Sequence, residues 1–386
     1  GHTINANQQG RIFNIANGKS LTLKNIKLIN GKTTGSGTAS YGGAIYNNGG
    51  SVTVEDSSFK NTTASYGGAI YNRDIGGVTV TNSSFTNTTA NNNGGAIYNT
   101  VGSVTVEDSS FTNTTANTNG GAIYNVDGSV TVEDSSFKNT TASYGGAIYN
   151  RDIGGVTVTN SSFTNTTANN NGGAIYASNG IVTVTNSTFK DNSANGIGAS
   201  IYAKGALNVK DSTFNSQNAN GTAIIYIEPS PTVNINLTNN IITSNLLPIY
   251  NKGGNIVSPT TLTFNNITVG EGENATLTAV LTDDNGNIIG SNTNVAGNVN
   301  GTPVNFVFDH ATMNFTVVYK DTTTKGNYTI TGTYSNATAC NVVNGTLTVG
   351  STPDFKDLQA IIDAASPAGT VYLNGTNYAA KPGQNN

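Results

Sequence analysis

The hydrophobic positions of this chain recur at a nearly constant interval over its first two thirds. The stretch Gly42–Asn47, GGAIYN, returns intact or altered along the chain. Its central isoleucine occurs at Ile45, Ile70, Ile97, Ile123, Ile148, Ile175, Ile201, Ile225 and Ile249. Neighbouring copies are 24 to 27 residues apart. The sequence is therefore a tandem repeat with a period of about 26 residues.

Each repeat holds three short apolar pieces, VTV, SSF and GAIY, which are separated by Gly, Asn, Asp and Thr. Pieces of this length and punctuation predict β-strands and not helices. Side chains alternate along a strand, so the large apolar ones share an inner face: Ile45, Val52, Val54 and Phe59. The outer face then takes Ala44, Tyr46 and Thr53.

A single repeat is too small to fold alone. Its buried apolar side chains contribute about 1.5–3 kcal/mol each, whereas ordering the backbone costs about 1–2 kcal/mol per residue. Stacking the repeats at about 4.8 Å lets each strand pair with its equivalents above and below, and lets identical side chains stack. The pattern therefore predicts an all-β protein whose residues 1–256 form a parallel β-helix of about ten coils with three strands per coil.

After residue 256 the repeat ends and a different strand spacing begins. Residues 257–350 alternate at the spacing of a β-sandwich, with a hairpin turn at Asp284-Asn-Gly. The local sequence around Tyr328 resembles the tyrosine corner of immunoglobulin-like domains, with Ile330 where antibody domains have their second cysteine. We therefore predict an Ig-like β-sandwich over residues 257–350.

Residues 351–386 resemble the segment that closes the open end of a β-helix. Thr352 and Pro353 suit the start of a short helix. One face of that helix is apolar: Phe355, Leu358, Ile361 and Ile362. A strand that contains Val371 and Leu373 follows directly. The pattern predicts a capping helix and the first strand of a next β-helix.

The beginning of the chain shows the opposite pattern. It opens inside a coil, with no capping helix before its first apolar residues, Ile4, Ile12 and Phe13. An uncapped coil exposes unpaired strand edges. We therefore predict a head-to-tail arrangement in which the 354–386 segment of one copy caps the β-helix of the next, either within one long chain or between separate chains.

The composition narrows the range of partners. Of the 386 residues 10% are charged, the net charge is -4, and no run of basic residues occurs. These features argue against nucleic acid and anionic membranes as binding partners. No stretch is long and apolar enough for a transmembrane helix, so we expect no direct membrane insertion. Cys340 is the single cysteine, so an internal disulfide cannot form.

Side chains suited to catalysis or metal binding are sparse. His2 and His310 have no acidic neighbour, and no base, nucleophile or metal cluster is apparent, so we expect neither enzyme activity nor a cofactor. Asp108 and Asp134 fall on adjacent coils and would lie about 5 Å apart, which would suit Ca²⁺. The alternative is a turn position that accepts Asp and Asn equally, since a neighbouring coil carries Asn82 there.

Three sets of surface residues are candidates for contacts. A tyrosine follows the core isoleucine and would form an outer ladder: Tyr46, Tyr71, Tyr98, Tyr124, Tyr149 and Tyr176. The ladder either offers a platform to sugars or a neighbouring rod, or its rings stack on one another and shield the backbone. A hydrogen-bonded turn stack is predicted for Asn61, Asn87, Asn113, Asn139 and Asn165. Candidate glycosylation sites are Asn274, Asn336 and Asn374.

The combination of GGAIYN, VTV and FxNTTA resembles the adhesin-like surface proteins of methanogenic archaea, which are giant chains of right-handed β-helix and immunoglobulin-like repeats. The chain is similar more distantly to the polymorphic outer-membrane autotransporters of chlamydiae, whose paired motifs are GGAI and FxxN. Phe189–Asn192 keeps FxxN here, whereas most coils read FxNT. The resemblance implies a right-handed β-helix and an extracellular location at the cell surface.

We therefore expect an extracellular structural or adhesive repeat unit of a cell-surface filament or giant adhesin. Its expected partners are further copies of itself, and glycans or other cells. The alternative is a carbohydrate-binding module or a polysaccharide-active β-helix protein. Residues 50–98 are identical to residues 128–176. A function that needs one unique set of residues fits such copies poorly.

Overall fold

A computed structural model describes residues 1–217, 219–228 and 233–351 of the chain. By its internal contacts the chain divides into two units. The first unit comprises Gly1–Thr260, Thr282–Ser291 and Asn336–Ala339. The second comprises Thr261–Leu281, Asn292–Ser335 and, among the described residues, Cys340–Ser351. The capping segment predicted within 351–386 lies outside the described residues, and with it Phe355, Leu358, Ile361, Ile362, Val371, Leu373 and Asn374.

The first unit is a parallel β-solenoid of the right-handed type, which confirms the predicted fold class. Three long sheets and one short sheet run along it, and each strand pairs in register with the equivalent strand one coil away. Ile97, for example, pairs with Ile70 on one side and Ile123 on the other. The solenoid makes about nine turns. Its short 3₁₀ helix, Gly37–Ser40, precedes the first GGAIYN.

The Ile sheet contains the isoleucine of every repeat. Its strands are Phe13–Ile15, Ile45–Asn48, Ile70–Arg73, Ile97–Asn99, Ile123–Asn125, Ile148–Asn150, Ile175–Ala177, Ile201–Ala203, Ala223–Ile227, Leu247–Asn251 and Ile289–Ser291. Ile45 and its equivalents through Ile249 have no exposed surface. The inward direction predicted for this column is therefore confirmed.

The Val sheet contains the VTV piece, whose two valines point inward. Its strands are Ser20–Lys24, Ser51–Glu55, Val78–Thr81, Val104–Glu107, Val130–Glu133, Val156–Thr159, Val182–Thr185, Leu207–Lys210, Asn234–Thr238 and Asn255–Ile256. Val52 and Val54 are buried, and Thr53 between them is partly exposed. This strict alternation is that of a sheet with one face in the core.

The Phe sheet contains the SSF piece. Its strands are His2–Asn5, Ile26–Ile29, Ser58–Lys60, Ser84–Thr86, Ser110–Thr112, Ser136–Lys138, Ser162–Thr164, Thr188–Lys190, Thr213–Ser216 and Ile241–Ser244. The phenylalanine rings from Phe59 to Phe214 are fully buried and stack with centroids 4.6 to 4.8 Å apart. They form a continuous aromatic column inside the solenoid, as the in-register pairing requires.

A fourth, short sheet follows the FxNTTA piece and was not predicted. This Ala sheet consists of Thr63–Tyr66, Thr89–Asn93, Thr115–Ala116, Thr141–Ala142, Thr167–Ala168 and Ser193–Ala194. Its alanines are buried, and Ala90, Ala116 and Ala142 pack as a cluster of their own. Small side chains fill the narrow corner between the Phe and Ile sheets.

The alternation predicted for the GAIY piece fails at its alanine. Ala44, expected on the outer face, has no exposed surface. The N–H groups of Ala44 and Ile45 both donate to the carbonyl of Ala69, each at 2.9 Å. Two consecutive N–H groups that point the same way interrupt the pleat, so regular alternation begins at Ile45. Tyr46, also expected outside, is only 5% exposed.

Two segments from beyond residue 256 belong to the solenoid. Ile289 pairs with Ile249 and continues the isoleucine column. Ile256 donates from its N–H to the carbonyl of Asn336 at 2.8 Å and accepts from the N–H of Thr338 at 2.9 Å. The last Ile and Val strands are thus both paired on their outer edge. Both segments lie within residues 257–350, over which the sequence predicts a sandwich.

The second unit is built mainly of antiparallel strands. Its strands are Ile267–Gly270, Val295–Val299, Thr302–Asp309, Asn314–Tyr319, Gly326–Thr333, Cys340–Val343 and Gly345–Gly350. Two further strands, Thr260–Phe264 and Ala275–Asp283, belong to it except for their residues 260, 282 and 283. The hydroxyl of Tyr328 donates to the carbonyl of Thr324 at 2.7 Å. A tyrosine corner has such a bond to the backbone a few residues upstream. The Ig-like assignment stays a prediction.

Candidate functional site

The tyrosines that follow the core isoleucine form one continuous stack. This tyrosine column consists of Tyr46, Tyr71, Tyr98, Tyr124, Tyr149, Tyr176, Tyr202, Tyr226 and Tyr250. Neighbouring ring centroids lie 4.5 to 5.8 Å apart with planes inclined by at most 28°. Tyr124 is only 4% exposed. The rings cover one another's faces, whereas a sugar platform would need open faces.

Burial changes the acidity of the column. It raises the pKa of Tyr176 to about 12 and raises the pKa values of Tyr71 and Tyr98 further. The cause is that ionised phenolate loses its solvation between the stacked rings. The hydroxyls therefore stay protonated at neutral pH and act as hydrogen-bond donors.

Charged side chains meet the tyrosine hydroxyls at several points. Nη1 of Arg73 donates to the hydroxyl oxygen of Tyr46 at 3.4 Å. Tyr202 is different, because its hydroxyl donates to Oε2 of Glu228 at 2.5 Å. This hydrogen bond is the main cause of a lowered pKa at Glu228. Nζ of Lys252 holds the other carboxylate oxygen at 2.9 Å.

A buried asparagine column runs beside the isoleucines. Its members are Asn47, Asn72, Asn99, Asn125 and Asn150. Nδ2 of each of the first four donates to Oδ1 of the next at 2.6 to 2.7 Å, and Nδ2 of all five donates to a carbonyl within its own turn. The sequence signal was present, since Asn47 lies two residues after Ile45 and hence on the same face. In a single repeat, however, asparagine between apolar pieces is typical of a turn.

A buried serine column connects the Val and Phe sheets and was also missed. It contains Ser57, Ser83, Ser109, Ser135, Ser161, Ser187 and Ser212. The backbone N–H of Ser57 donates to Oγ of Ser83 at 3.0 Å, and Oγ of Ser57 donates to the carbonyl of Glu55 at 2.6 Å. The same pair of bonds recurs in the following coils. The serine hydroxyls thus form hydrogen bonds with backbone groups at the corner between the two sheets, where strand-to-strand backbone pairing is interrupted.

The proposed calcium ligands lie in a turn column of Asp and Asn. Asp108 and Asp134 are exposed, and both have a φ of 46°. Asn82 in the preceding coil has a φ of 43°, and its Nδ2 donates to Oδ1 of Asp56 at 2.7 Å. Asp and Asn tolerate this left-handed conformation better than other non-glycine residues. Among the described residues, no three His, Cys, Asp or Glu side chains could together hold a metal ion.

The same turn column lines a polar groove on the outside of the solenoid. The groove has a volume of about 390 Å³. Its walls include Lys27, Asp56, Ser58, Asn82, Ser84 and Asp108. Ser58, Ser84 and Ser110 lie in register on neighbouring strands, so one hydroxyl is presented per coil. The groove offers donors and acceptors but no aromatic ring.

The predicted asparagine turn stack is confirmed. Nδ2 of Asn87 donates to Oδ1 of Asn61 at 3.2 Å, and the same bond recurs up to Asn165. These asparagines are exposed and adopt positive φ values between 52° and 55°. Among the glycosylation candidates, Asn274 is exposed and Asn336 is half-buried.

The predicted assembly residues at the N-terminus lie at one edge of the solenoid. The strands His2–Asn5, Phe13–Ile15 and Ser20–Lys24 are each at the end of a sheet. Among the described residues each of them pairs with strands on one side only. Ile4, Ile12 and Phe13 are half-buried, whereas Ile45, one coil further on, has no exposed surface.

No helix within the described ranges has the length and apolar character needed to cross a membrane. Comparison with known proteins found no family model, no curated protein and no solved structure that matches this chain.

Proposed function

We propose that this chain is a structural, adhesive repeat unit of an extracellular surface filament or giant adhesin. In this proposal the N-terminal edge of the solenoid accepts the 354–386 segment of another copy. The acceptor consists of the three edge strands and the half-buried Ile4, Ile12 and Phe13. A preceding copy in a longer chain would fill the same edge covalently.

The observation that carries this proposal is the difference between the two ends of the solenoid. At the far end Ile289 and residues 336–339 pair with the outer edges of the last Ile and Val strands, whereas the last Phe strand, Ile241–Ser244, pairs on one side only among the described residues. At the near end the first strand of all three long sheets pairs on one side only within the described residues, and these edges lie next to apolar side chains. Open strand edges of this kind pair readily with another segment. A contact between two different surfaces, with nothing to close a ring, builds an open filament.

The test uses a synthetic peptide of residues 352–386 and the chain truncated after residue 351. We expect the peptide to bind the truncated chain, and the full chain to form end-to-end oligomers in analytical ultracentrifugation and electron microscopy. Phe13→Lys should abolish both, because it places a charge at the apolar edge. Ile181→Lys is the matched control, since Ile181 is 53% exposed on a turn and away from the edge.

Two results would contradict the proposal. The first is that the truncated chain remains a monomer that ignores the peptide. The second is that Phe13→Lys and Ile181→Lys weaken assembly equally, which would place the contact elsewhere on the solenoid.

A second candidate function is carbohydrate binding in the polar groove. The groove and its one hydroxyl per coil favour it, because sugar hydroxyls need closely spaced donors and acceptors. A glycan screen with the full chain tests this candidate, and Ser84→Val should remove binding without affecting assembly. The absence of glycan binding by a chain that forms filaments would leave only the first function.

A further inference from the structure

The tyrosine column is an uninterrupted line of oxidisable rings. From Tyr46 to Tyr250 no neighbouring centroids are more than 5.8 Å apart. The rate of electron transfer between two aromatic rings falls steeply with the distance between them. Rings on adjacent coils therefore exchange electrons far faster than rings that are two coils apart. The phenylalanine column is equally regular, but phenyl rings are much harder to oxidise than phenols. Of these two columns, the tyrosine column is therefore the one suited to passing an electron vacancy from ring to ring.

The tyrosine at which the radical is stabilised depends on where the phenolic proton can go. Removing an electron from a phenol makes its hydroxyl a very strong acid, so the radical is stable only where a base takes the proton. Arg73 next to Tyr46 is a cation and cannot accept it. Glu228 can, because its carboxylate already accepts the hydroxyl hydrogen of Tyr202.

We propose that the tyrosine column carries one-electron oxidising equivalents along the solenoid and delivers them to Tyr202. A one-electron oxidant outside the protein takes one electron from a ring near the N-terminal end and is itself reduced. Each oxidised ring then takes an electron from the next ring along the column, until the electron is taken from Tyr202. The Tyr202 O–H bond then breaks, its proton moves to Oε2 of Glu228, and a neutral phenoxyl radical remains. Lys252 continues to hold Oε1 of Glu228.

The test starts the reaction at a defined place in the full chain. In a Cys340→Ser background, Asn48→Cys provides a single thiol for a ruthenium polypyridyl complex, beside Tyr46. Flash-quench generates ruthenium(III), the one-electron oxidant. Tyr202 is six steps along the column, about 30 Å at one strand spacing per step. We expect electron paramagnetic resonance to detect a tyrosyl radical at Tyr202, identified by its loss in Tyr202→Phe.

Two variants separate a relay from direct oxidation. Tyr124→Phe combined with Tyr149→Phe keeps the stacked rings but removes two oxidisable ones, so most of the Tyr202 radical should be lost. Glu228→Gln should also remove it, because an amide does not take the proton. Tyr319→Phe in the second unit is the matched control and should leave the signal unchanged.

Two results would overturn the proposal. A radical that stays on Tyr46 would show that the column does not conduct. A Tyr202 radical that survives the double phenylalanine substitution would show that the oxidant reaches Tyr202 without the column.

Discussion

At the scale of single residues, one column of threonines contains an internal contrast. The hydroxyls of Thr62, Thr88, Thr114 and Thr140 are buried and have no hydrogen-bond partner among the described residues. Thr166 is next in the column, and its hydroxyl donates to Oδ1 of Asn192 at 2.7 Å. A buried hydroxyl without a partner costs about 1–3 kcal/mol. The same residue type therefore has opposite effects on stability in neighbouring coils.

Replacing threonine with valine at two of these positions tests the contrast. Thr114→Val should raise the free energy of unfolding by about 1 kcal/mol, because it removes an unpaired hydroxyl and nearly keeps the shape. Thr166→Val should lower it by about 1 kcal/mol, because Asn192 loses a donor. Urea denaturation of the full chain measures both changes. A loss of stability in Thr114→Val would show that its hydroxyl is satisfied.

Residue-scale predictions from the sequence succeeded for apolar positions and failed for buried polar ones. Ile45, Val52 and Phe59 were placed inward by alternation, because burial of large apolar side chains dominates their placement. Asn47 and Ser57 are buried for another reason, which is that each satisfies polar groups of neighbouring coils. That reason becomes visible only when copies of the repeat are stacked, since one repeat contains only half of each hydrogen bond.

At the scale of elements, the close approach of the coils depends on glycine at the turn before the Ile sheet. A Cβ at Gly121 would lie 2.0 Å from the carbonyl oxygen of Gly146 in the next coil. Its equivalents Gly43, Gly68, Gly95 and Gly146 meet the same obstacle, at 2.0 to 2.2 Å. The second glycine of each GG is thus required by the spacing of the coils.

Gly121→Ala should therefore destabilise the solenoid by about 3 kcal/mol or more, since the backbone of two coils must separate to admit the methyl group. Gly10→Ala is the control, because nothing lies within 4 Å of its Cβ position. At position 10 alanine restricts the unfolded chain more than glycine does and causes no clash in the folded chain. The free energy of unfolding should therefore stay unchanged or rise slightly. Thermal unfolding of both variants measures the difference, and equal melting temperatures would contradict the steric argument.

The tyrosine column predicts how the solenoid responds to alkali. The pKa of Tyr176 is raised by burial to about 12, so the folded chain holds this proton more tightly than the unfolded chain does. The resulting stability is complete below about pH 10, the ordinary tyrosine pKa, and is lost as the pH rises toward the folded value. Urea denaturation between pH 8 and about pH 11 should show a decline, which Tyr98→Phe and Tyr176→Phe reduce. An unchanged slope in these variants would assign the decline to other groups.

Element-scale predictions failed where pairing joins distant parts of the chain. The repeat predicted the in-register stacking, because equivalent residues pair with one another. It did not predict the Ala sheet, whose strands of two to five residues carry little pattern. Nor did it predict that Ile289 extends the isoleucine column, because nothing local distinguishes this strand from those of the sandwich.

At the scale of the whole molecule, the solenoid is modular. Residues 50–98 and 128–176 are identical and are 78 residues apart, which is three coils. Stacked coils contact only their neighbours. A three-coil block can therefore be added or removed while the isoleucine, phenylalanine and tyrosine columns all continue. The reach of the solenoid can change in evolution without a change in its surface chemistry.

The in-register pairing of equivalent strands also determines how the solenoid behaves under mechanical load. The hydrogen bonds between coils point along the solenoid axis, so a pull along that axis loads the coils in series, and the outermost coil peels away first. Each released coil of about 26 residues adds on the order of 90 Å of extensible chain. Force spectroscopy with handles at positions 1 and 256 should record a train of evenly spaced low-force events instead of one all-or-none rupture. A solenoid with this property lengthens under load in small steps while its two ends stay connected.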